Sequence, residues 1–287
     1  MDRRQVAGVP EDAARVEVEG VSLAVARAGQ GVPVICLHAI AHGGGDYAAF
    51  AARMADRFEV IVVDWPGHGR SGEDHQPLSP ARYAALVAGL VAKLGLERPI
   101  LVGCSIGGAA AILYAKDHPV RGLVLCDPGG LAQVNAVTRR FCGVFARFFA
   151  AGERRARWFG VAYAAFYRLL VLPSRAASAQ RRRIVACGYE MAGKLREAWE
   201  GFGRPEADIR EAAWGLDVPV WFAWAKSDRV IPLGVCQPAI DRMKRAAVTT
   251  FPGGHAAFLE QPDAFAEGFA DFAEALVKAE GRVTRAA

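Results

Sequence analysis

The chain has 287 residues, of which 53% are hydrophobic and 23% are charged, and its mean hydropathy is +0.15. These values predict a globular protein with one large core and room for an inserted subdomain. The sequence has no run of 18 uninterrupted apolar residues, so we expect no transmembrane helix. Its first residues are charged and lack an apolar stretch, which argues against a signal peptide.

The net charge of +5 is concentrated in one part of the chain. Residues 131–215 contain 15 Lys and Arg against 7 Asp and Glu, whereas the remainder contains 20 against 23. Because the basic character belongs to one segment rather than to the whole protein, we expect no nucleic-acid partner.

Six cysteines are scattered without CxxC spacing, at positions 36, 104, 126, 142, 187 and 236. This distribution is typical of buried free thiols in a reducing cytoplasm and predicts neither disulfides nor a zinc site. No dinucleotide-binding fingerprint follows the first strand. We therefore expect a cytoplasmic protein without a metal or another cofactor.

The first half of the chain alternates between strands and helices. Residues 15–29 alternate apolar and polar side chains around Gly20 and predict a hairpin. Apolar runs predict strands at 32–39, 58–64, 99–102 and 122–127, and helical patterns occupy 46–55, 79–94 and 106–117. The alternation predicts a parallel sheet covered on both faces, which binds ligands at the carboxyl ends of its strands. Four polar residues lie at the carboxyl ends of these strands: His38, Asp64, Ser105 and Asp127.

The alternation stops after residue 128. Residues 129–216 contain no convincing strand, but Phe141, Phe145 and Phe148 follow helical spacing with arginines between them. Strands return at 218–225 and 247–251, followed by a helix to about Arg245 after the first and a closing helix at 262–278 after the second. The sequence thus predicts core residues 1–128, a helical insertion at 129–216 and core residues 217–287.

A sharp turn joins the strand at 99–102 to the following helix. The turn is Gly103-Cys104-Ser105-Ile106-Gly107, with Gly108 next in the chain. So short a connection predicts strained backbone angles at Ser105. It also predicts glycine beside the serine, because the strand and helix backbones pass close together there.

The pentapeptide matches the G-x-S-x-G nucleophile elbow, and here the chain resembles the α/β-hydrolase superfamily. The resemblance covers residues 15–280. It implies a mostly parallel eight-stranded sheet with helices on both faces, the α/β-hydrolase fold, and it assigns residues 129–216 to a helical cap over the strand ends.

A serine hydroxyl needs an adjacent base, and the base needs an acid that fixes its tautomer. In this superfamily the chain order is serine, acid, histidine. The order here is Ser105, Asp228 and His255, and both later residues follow a predicted strand. We predict these three as the catalytic triad.

Two other aspartates follow strands of the predicted sheet. Asp127 is the alternative acid, because some α/β-hydrolases carry the carboxylate after the sixth strand. Asp64 lies in the stretch DWPGHGRS, which resembles a family loop whose carboxylate accepts backbone N–H groups. A structural role is therefore expected for Asp64.

The tetrahedral intermediate of acyl transfer requires two hydrogen-bond donors for its oxyanion. One is expected to be the backbone N–H of Ile106, at the start of a helix. The resemblance places Ile40 as the second donor, although Ala39 stands where the family usually has glycine. The string His42-Gly43-Gly44-Gly45 matches a lipase motif but lies four residues late. We expect His38, His42 and Cys104 in the pocket nearby.

These residues predict a serine hydrolase that cleaves small to medium carboxylic esters or similar acyl compounds. The same triad serves two alternatives: carbon–carbon bond hydrolysis of diketo acids, which an arginine-rich cap would suit, and perhydrolysis without a cofactor. A third alternative is a non-catalytic protein that binds ligands on this fold. Serine at the nucleophile position argues against epoxide hydrolases and haloalkane dehalogenases, which use aspartate.

The aromatic residues of the insertion permit two interpretations. Phe141, Phe145, Phe148 and Phe149 amid arginines could dock on an anionic membrane. The interpretation that we favour is that they face the protein's own core. The expected partner is a small-molecule acyl substrate, and the sequence makes no prediction about oligomeric state.

Overall fold

The computed structural model describes the backbone of residues 8–286 and the side chains of residues 8–278. Residues 1–7, where the expectation about a signal peptide begins, lie outside this range. Eight strands form one sheet: β1 (Ala14–Val18), β2 (Val21–Ala28), β3 (Val32–Leu37), β4 (Phe58–Val63), β5 (Ile100–Cys104), β6 (Gly122–Cys126), β7 (Val220–Ala225) and β8 (Ala246–Phe251).

The strand order is β1-β2-β4-β3-β5-β6-β7-β8. Strand β2 pairs antiparallel with β1 and with β4, and all other pairs are parallel. The β1–β2 hairpin turns through Glu19 and Gly20, which both have positive φ (48° and 81°). Two such residues form the tight turn whose twist matches that of the strands. The predicted fold class, a mostly parallel eight-stranded sheet with helices on both faces, is confirmed.

The helices of the core agree with the sequence except at their ends and in the short helix α10, which was not predicted. They are α1 (Ala48–Met54), α2 (Pro80–Leu94), α3 (Ile106–Asp117), α9 (Leu233–Ile240), α10 (Ala257–Glu260) and α11 (Pro262–Ala286). Helix α2 begins at its predicted cap, because the Ser79 side chain accepts a hydrogen bond from the Arg82 N–H (3.1 Å). Helix α9 ends five residues before the predicted Arg245, since the chain must reverse there to enter β8.

Residues 129–216 form helices between β6 and β7, and we call them the cap segment. Its helices are α4 (Ala136–Glu153), α5 (Phe159–Phe166), α6 (Ser178–Ala186), α7 (Gly188–Phe202) and α8 (Arg210–Gly215). A π-helical turn at Tyr167–Val171 continues α5. Helices α4 and α7 pack along each other, and Phe149, Phe159 and Tyr163 are fully buried between the cap helices.

The central strands of the sheet are buried from solvent. Every residue of β5, β6 and β7 is buried, as expected for parallel strands with helices on both faces. At the edge, β8 exposes four of its six side chains. In residues 8–286 no helix has the length and apolar character needed to span a membrane.

Candidate active site

Ser105 lies at the junction of β5 and α3 with φ 54° and ψ −117°, which confirms the predicted backbone strain. The flanking glycines are required by close backbone contacts. A Cβ on Gly103 would lie 2.5 Å from the Gly107 carbonyl oxygen, and one on Gly107 would lie 2.3 Å from the Leu37 carbonyl oxygen. A side chain at position 103 or 107 would therefore clash with the backbone, so this turn requires glycine on both sides of Ser105.

His255 follows β8 and bonds to the predicted acid. Its Nδ1–H donates to Asp228 Oδ2 (2.8 Å), and both residues are buried. The other carboxylate oxygen of Asp228 accepts the N–H groups of Val230 (2.7 Å) and Ile231 (2.9 Å). These bonds fix the acid in the loop after β7, so that it orients the imidazole ring.

A buried glutamate supports the loop that carries His255. Glu260, on α10, accepts the Gly254 N–H (2.6 Å) with one oxygen and the Ser174 N–H (3.0 Å) with the other. It is 2% exposed. Glu260 was not among the predicted site residues, although its position at the end of the apolar stretch AAFLE was a signal of a buried acid. It ties the histidine loop to the cap segment.

The acid–base pair changes the titration of the histidine. Burial lowers the pKa of His255, but the charge and hydrogen bond of Asp228 outweigh burial and raise the pKa to about 9. Negative charge on Asp127 or Glu260 acts in the same direction wherever those carboxyl groups are ionised. The geometry is that of a general base whose protonated form is stabilised by its acid.

The alternative acid, Asp127, lies in the same cluster but in a different role. Its Oδ1 accepts the Ala225 N–H (2.7 Å), and its Oδ2 has no hydrogen-bond partner if the carboxyl is ionised. One ligand atom from each of Asp127, Asp228 and His255 lies within 4.8 Å of the others. Within this cluster, His255 Nδ1 and Asp228 Oδ2 are hydrogen-bonded to each other.

The two predicted oxyanion donors flank Ser105 in the cavity. Ile106 is the first residue of α3, where backbone N–H groups lack partners within the helix, and Ile40 lines the same space. Ala41, not Ala39, adopts the left-handed backbone (φ 61°), and its N–H donates to His68 Nε2 (3.0 Å). The loop therefore accommodates alanine at position 39, where the family usually has glycine.

Only one of the three expected pocket residues, His42, lines the cavity. It bonds through Nδ1 to Asp46, which also accepts a hydrogen bond from Gln180 of the cap segment. The prediction was wrong for His38, whose Nε2 accepts the Trp65 N–H (2.9 Å) and whose pKa burial lowers. It was also wrong for Cys104, which is buried outside the cavity lining, where its thiol donates to the His255 carbonyl oxygen (3.7 Å).

Asp64 has the expected structural role. It is fully buried, and its oxygens accept the N–H groups of Val9 (3.0 Å), Gly44 (2.7 Å) and Arg70 (2.9 Å). The carboxylate thus joins the loop after β3 to the loop after β4. It does not line the cavity.

A cavity of about 320 Å³ lies between the strand ends and the cap segment. Ser105 and His255 form its floor, and the cap contributes an apolar wall that includes Phe141, Phe149, Phe166, Leu195 and Trp199. Arg229 is its single Lys or Arg. The arginines of residues 136–187 do not line the cavity, and ten of the eleven are exposed to solvent: Arg139, Arg140, Arg147, Arg154, Arg155, Arg157, Arg168, Arg175, Arg182 and Arg183.

This fold and this site define a class. Residues 34–268 match the family model of the alpha/beta hydrolase family, and the chain belongs to that family.

The curated relatives that resemble it include the pimeloyl-[acyl-carrier protein] methyl ester esterases of Xanthomonas campestris pv. campestris (strain B100) and Stenotrophomonas maltophilia (strain K279a). Each is 32% identical, over 86% and 88% of this chain respectively and 97% of the relative. Among solved structures, a thermophilic esterase from Thermogutta terrifontis superposes with a TM-score of 0.76 at 21% identity, covering 92% of this chain and 99% of that one. A putative lipase from Acinetobacter baumannii gives 0.77 at 17% identity, covering 96% and 95%. Family and relatives together support ester hydrolysis.

Proposed function

We propose that the protein is a serine esterase that cleaves small to medium carboxylic esters through an acyl-enzyme on Ser105. One observation carries the proposal: Ser105, on a strained elbow, and His255, bonded to buried Asp228, line the same apolar cavity. A nucleophile, a base and an orienting acid around a substrate-sized space are the parts that acyl transfer requires.

The reaction follows from these positions. His255 takes the proton from the Ser105 hydroxyl as its oxygen attacks the ester carbonyl, and Asp228 stabilises the imidazolium that forms. The oxyanion receives hydrogen bonds from the N–H groups of Ile40 and Ile106. The alcohol leaves with the proton from His255, and water then repeats the sequence to release the acid and free the serine.

The cavity favours esters over the diketo acids considered from the sequence. A diketo acid needs a cationic partner for its carboxylate, and Arg229 is the one Lys or Arg among the residues that line the cavity. The arginines of the cap segment face solvent instead. Apolar acyl chains suit the aromatic wall, because their burial contributes roughly 0.8 kcal/mol per methylene.

The first test is reaction with a fluorophosphonate probe, followed by peptide mapping. We expect one adduct, on Ser105, and none in the Ser105→Ala variant. Ser227→Ala is the matched control, because Ser227 is exposed and precedes the acid; labelling should be unchanged. Absence of an adduct in the folded wild-type protein, or an adduct elsewhere, would reject the proposal in favour of a binding protein.

A specific observation favours a second, narrower candidate: the methyl ester of an acyl chain delivered by a carrier protein, as the names of the curated relatives state for them. Helices α4 to α6 lie within residues 136–187, which contain eleven arginines and one acidic residue, Glu153. Val137 and Phe141, beside Arg139 and Arg140, are exposed and line the cavity. Arginines at a cavity mouth complement an acidic partner protein.

This candidate predicts that the positive charge of the cap segment lowers KM only when the substrate is carried by a protein. The experiment compares two substrates: a methyl-ester-terminated acyl chain on an acidic acyl carrier protein, and the same chain on a pantetheine thioester. Replacing Arg139 and Arg140 by Glu should raise KM for the carrier substrate alone. The control is Lys244→Glu with Arg245→Glu, the same charge change at the opposite edge of the sheet. An equal response of both substrates would contradict the candidate.

A further inference from the structure

Two buried carboxyl groups meet beside His255, and their hydrogen bonds are unequal. Both oxygens of Asp228 accept hydrogen bonds: Oδ1 accepts two backbone N–H groups, and Oδ2 accepts the Nδ1–H of His255. Asp127 has one donor, the Ala225 N–H on Oδ1, while its buried Oδ2 has none. Two ionised carboxylates cannot bond to each other, because each is only an acceptor.

A single proton resolves this arrangement. If Asp127 Oδ2 carries a hydrogen, it can donate that hydrogen to the adjacent Asp228 carboxylate, which lies in the same cluster. We propose that Asp127 is a protonated positioning residue, which donates a hydrogen bond to the triad acid and adds no charge beside His255. This inference rests on the proposed function for its kinetic readout only.

The surroundings agree with a neutral Asp127. Burial raises the pKa of its carboxyl well above the usual range, and the adjacent Asp228 charge raises it further. The other titratable groups around the cluster are Glu260 on α10 and the thiols of Cys104, Cys126 and Cys236, whose pKa values burial raises. Asp228 is therefore the anion that faces His255 most closely.

A neutral Asp127 has a consequence for the base. A second carboxylate would raise the pKa of His255, so more of the imidazole would be protonated at neutral pH and unable to accept the serine proton. A protonated carboxyl instead withdraws some charge from Asp228 and holds it in place. The cluster thus keeps the orienting acid without the extra anion.

The decisive variant is Asp127→Asn. The asparagine oxygen can accept the Ala225 N–H and its amide nitrogen can donate to Asp228, so it reproduces the protonated acid and not the carboxylate. Asparagine also tolerates the left-handed backbone at this position (φ 45°). Asp127→Gly tolerates the same backbone but lacks the donor.

The experiment measures kcat/KM for an ester from pH 5 to 10 in the three proteins. We expect Asp127→Asn to keep the wild-type rate and the wild-type midpoint of the acid limb. Asp127→Gly should lose about tenfold in kcat/KM, because a hydrogen bond to a charged group is lost, and its midpoint should move to higher pH. A midpoint about one pH unit lower in Asp127→Asn would show that Asp127 is ionised in the wild type and would overturn the inference.

A second measurement does not depend on turnover. Infrared difference spectra at pH 7 between wild type and Asp127→Asn should contain the carbonyl stretch of a protonated carboxylic acid in the wild type only. A carboxylate band in its place would reject the inference, whatever the kinetics. If no ester is hydrolysed, the proposed function fails, while this spectrum still decides the protonation of Asp127.

Discussion

The two sides of the cavity are stabilised by different interactions: hydrogen bonds to buried carboxylates at the strand-end edge of the sheet, and packing of aromatic rings in the cap segment. At the edge, buried carboxylates are held by backbone N–H groups: Asp64 by three, Asp228 by two and Glu260 by at least two. In the cap segment, aromatic rings pack on one another, as in the stacked pair Phe145 and Trp199 with centroids 4.4 Å apart.

We expect the strand-end edge to determine the rate of the reaction and the cap segment to determine which ester is preferred. A buried polar network is costly to disturb, because a group that loses its partner keeps its desolvation penalty. An apolar wall tolerates exchange of one hydrophobic side chain for another at lower cost. Substitutions at the edge should therefore abolish turnover, whereas substitutions in the wall should change which ester is preferred.

The largest expected effect is at the nucleophile. Ser105→Ala should lower kcat on the order of 10⁶-fold without unfolding the protein, since it removes the attacking oxygen and relieves no packing. The measurement is ester hydrolysis with circular dichroism as the control for folding. Residual turnover near the wild-type rate would place the nucleophile elsewhere.

The next effect is at the acid. Asp228→Asn should lower kcat about 10⁴-fold, because the amide cannot stabilise the imidazolium. It should also shift stability with pH. The raised pKa of His255 means that its ion pair with Asp228 stabilises the fold fully below pH 6.5, and this contribution is lost as pH rises through about 9. Urea unfolding at pH 6 and pH 10 tests this: the variant should lose more stability at pH 6. An equal loss at both would contradict the assignment.

A pair of identical substitutions compares the two regions directly. Gly107→Ala at the elbow should destabilise the protein by about 1–3 kcal/mol, because the added Cβ meets the Leu37 backbone. Gly143→Ala in α4 meets no atom within 4 Å and should stabilise it by about 1 kcal/mol. Thermal unfolding of both variants measures the difference, and shifts of the same sign would refute it.

The smallest expected effect is in the cap wall. Phe141→Ala should lower kcat/KM for long-chain esters roughly fivefold, corresponding to about 1 kcal/mol, and leave acetate esters unchanged. The control is Val144→Ala, one turn along the same helix, which is 50% exposed and does not line the cavity. If both variants behave alike, the wall is not in contact with the acyl chain.

Much of the sheet and of the edge was predictable because both depend on local patterns. Apolar runs marked the strands, and the glycines around Ser105 marked the elbow, since the backbone contacts there exclude any other residue. The pairing of His255 with Asp228 could be anticipated from the resemblance, because the superfamily's chain order is serine, acid, histidine. Hydrogen bonds between distant loops, such as Glu260 with Ser174, could not, because nothing local specifies the partner.

The sequence also did not show which way the aromatic side chains of the cap segment face. Helical spacing places side chains on a face but does not say which face is covered. Phe149 is buried and Phe145 and Phe148 are partly buried, whereas Phe141 is 40% exposed and Val137 is 77% exposed. The four phenylalanines therefore do not form one exposed surface for a membrane, and membrane contact stays an untested alternative. The arginines face outward because they have no partner charge in the apolar interior.

The position of the cap segment in the chain also has a consequence during protein synthesis. The ribosome releases the nucleophile on β5 first, then the entire cap, and only afterwards β7 with the acid and β8 with the histidine. If Ser105, Asp228 and His255 act as proposed, a growing chain carries a serine that no base can activate. The serine then becomes reactive only when the last strand joins the parallel sheet, a long-range pairing that forms late.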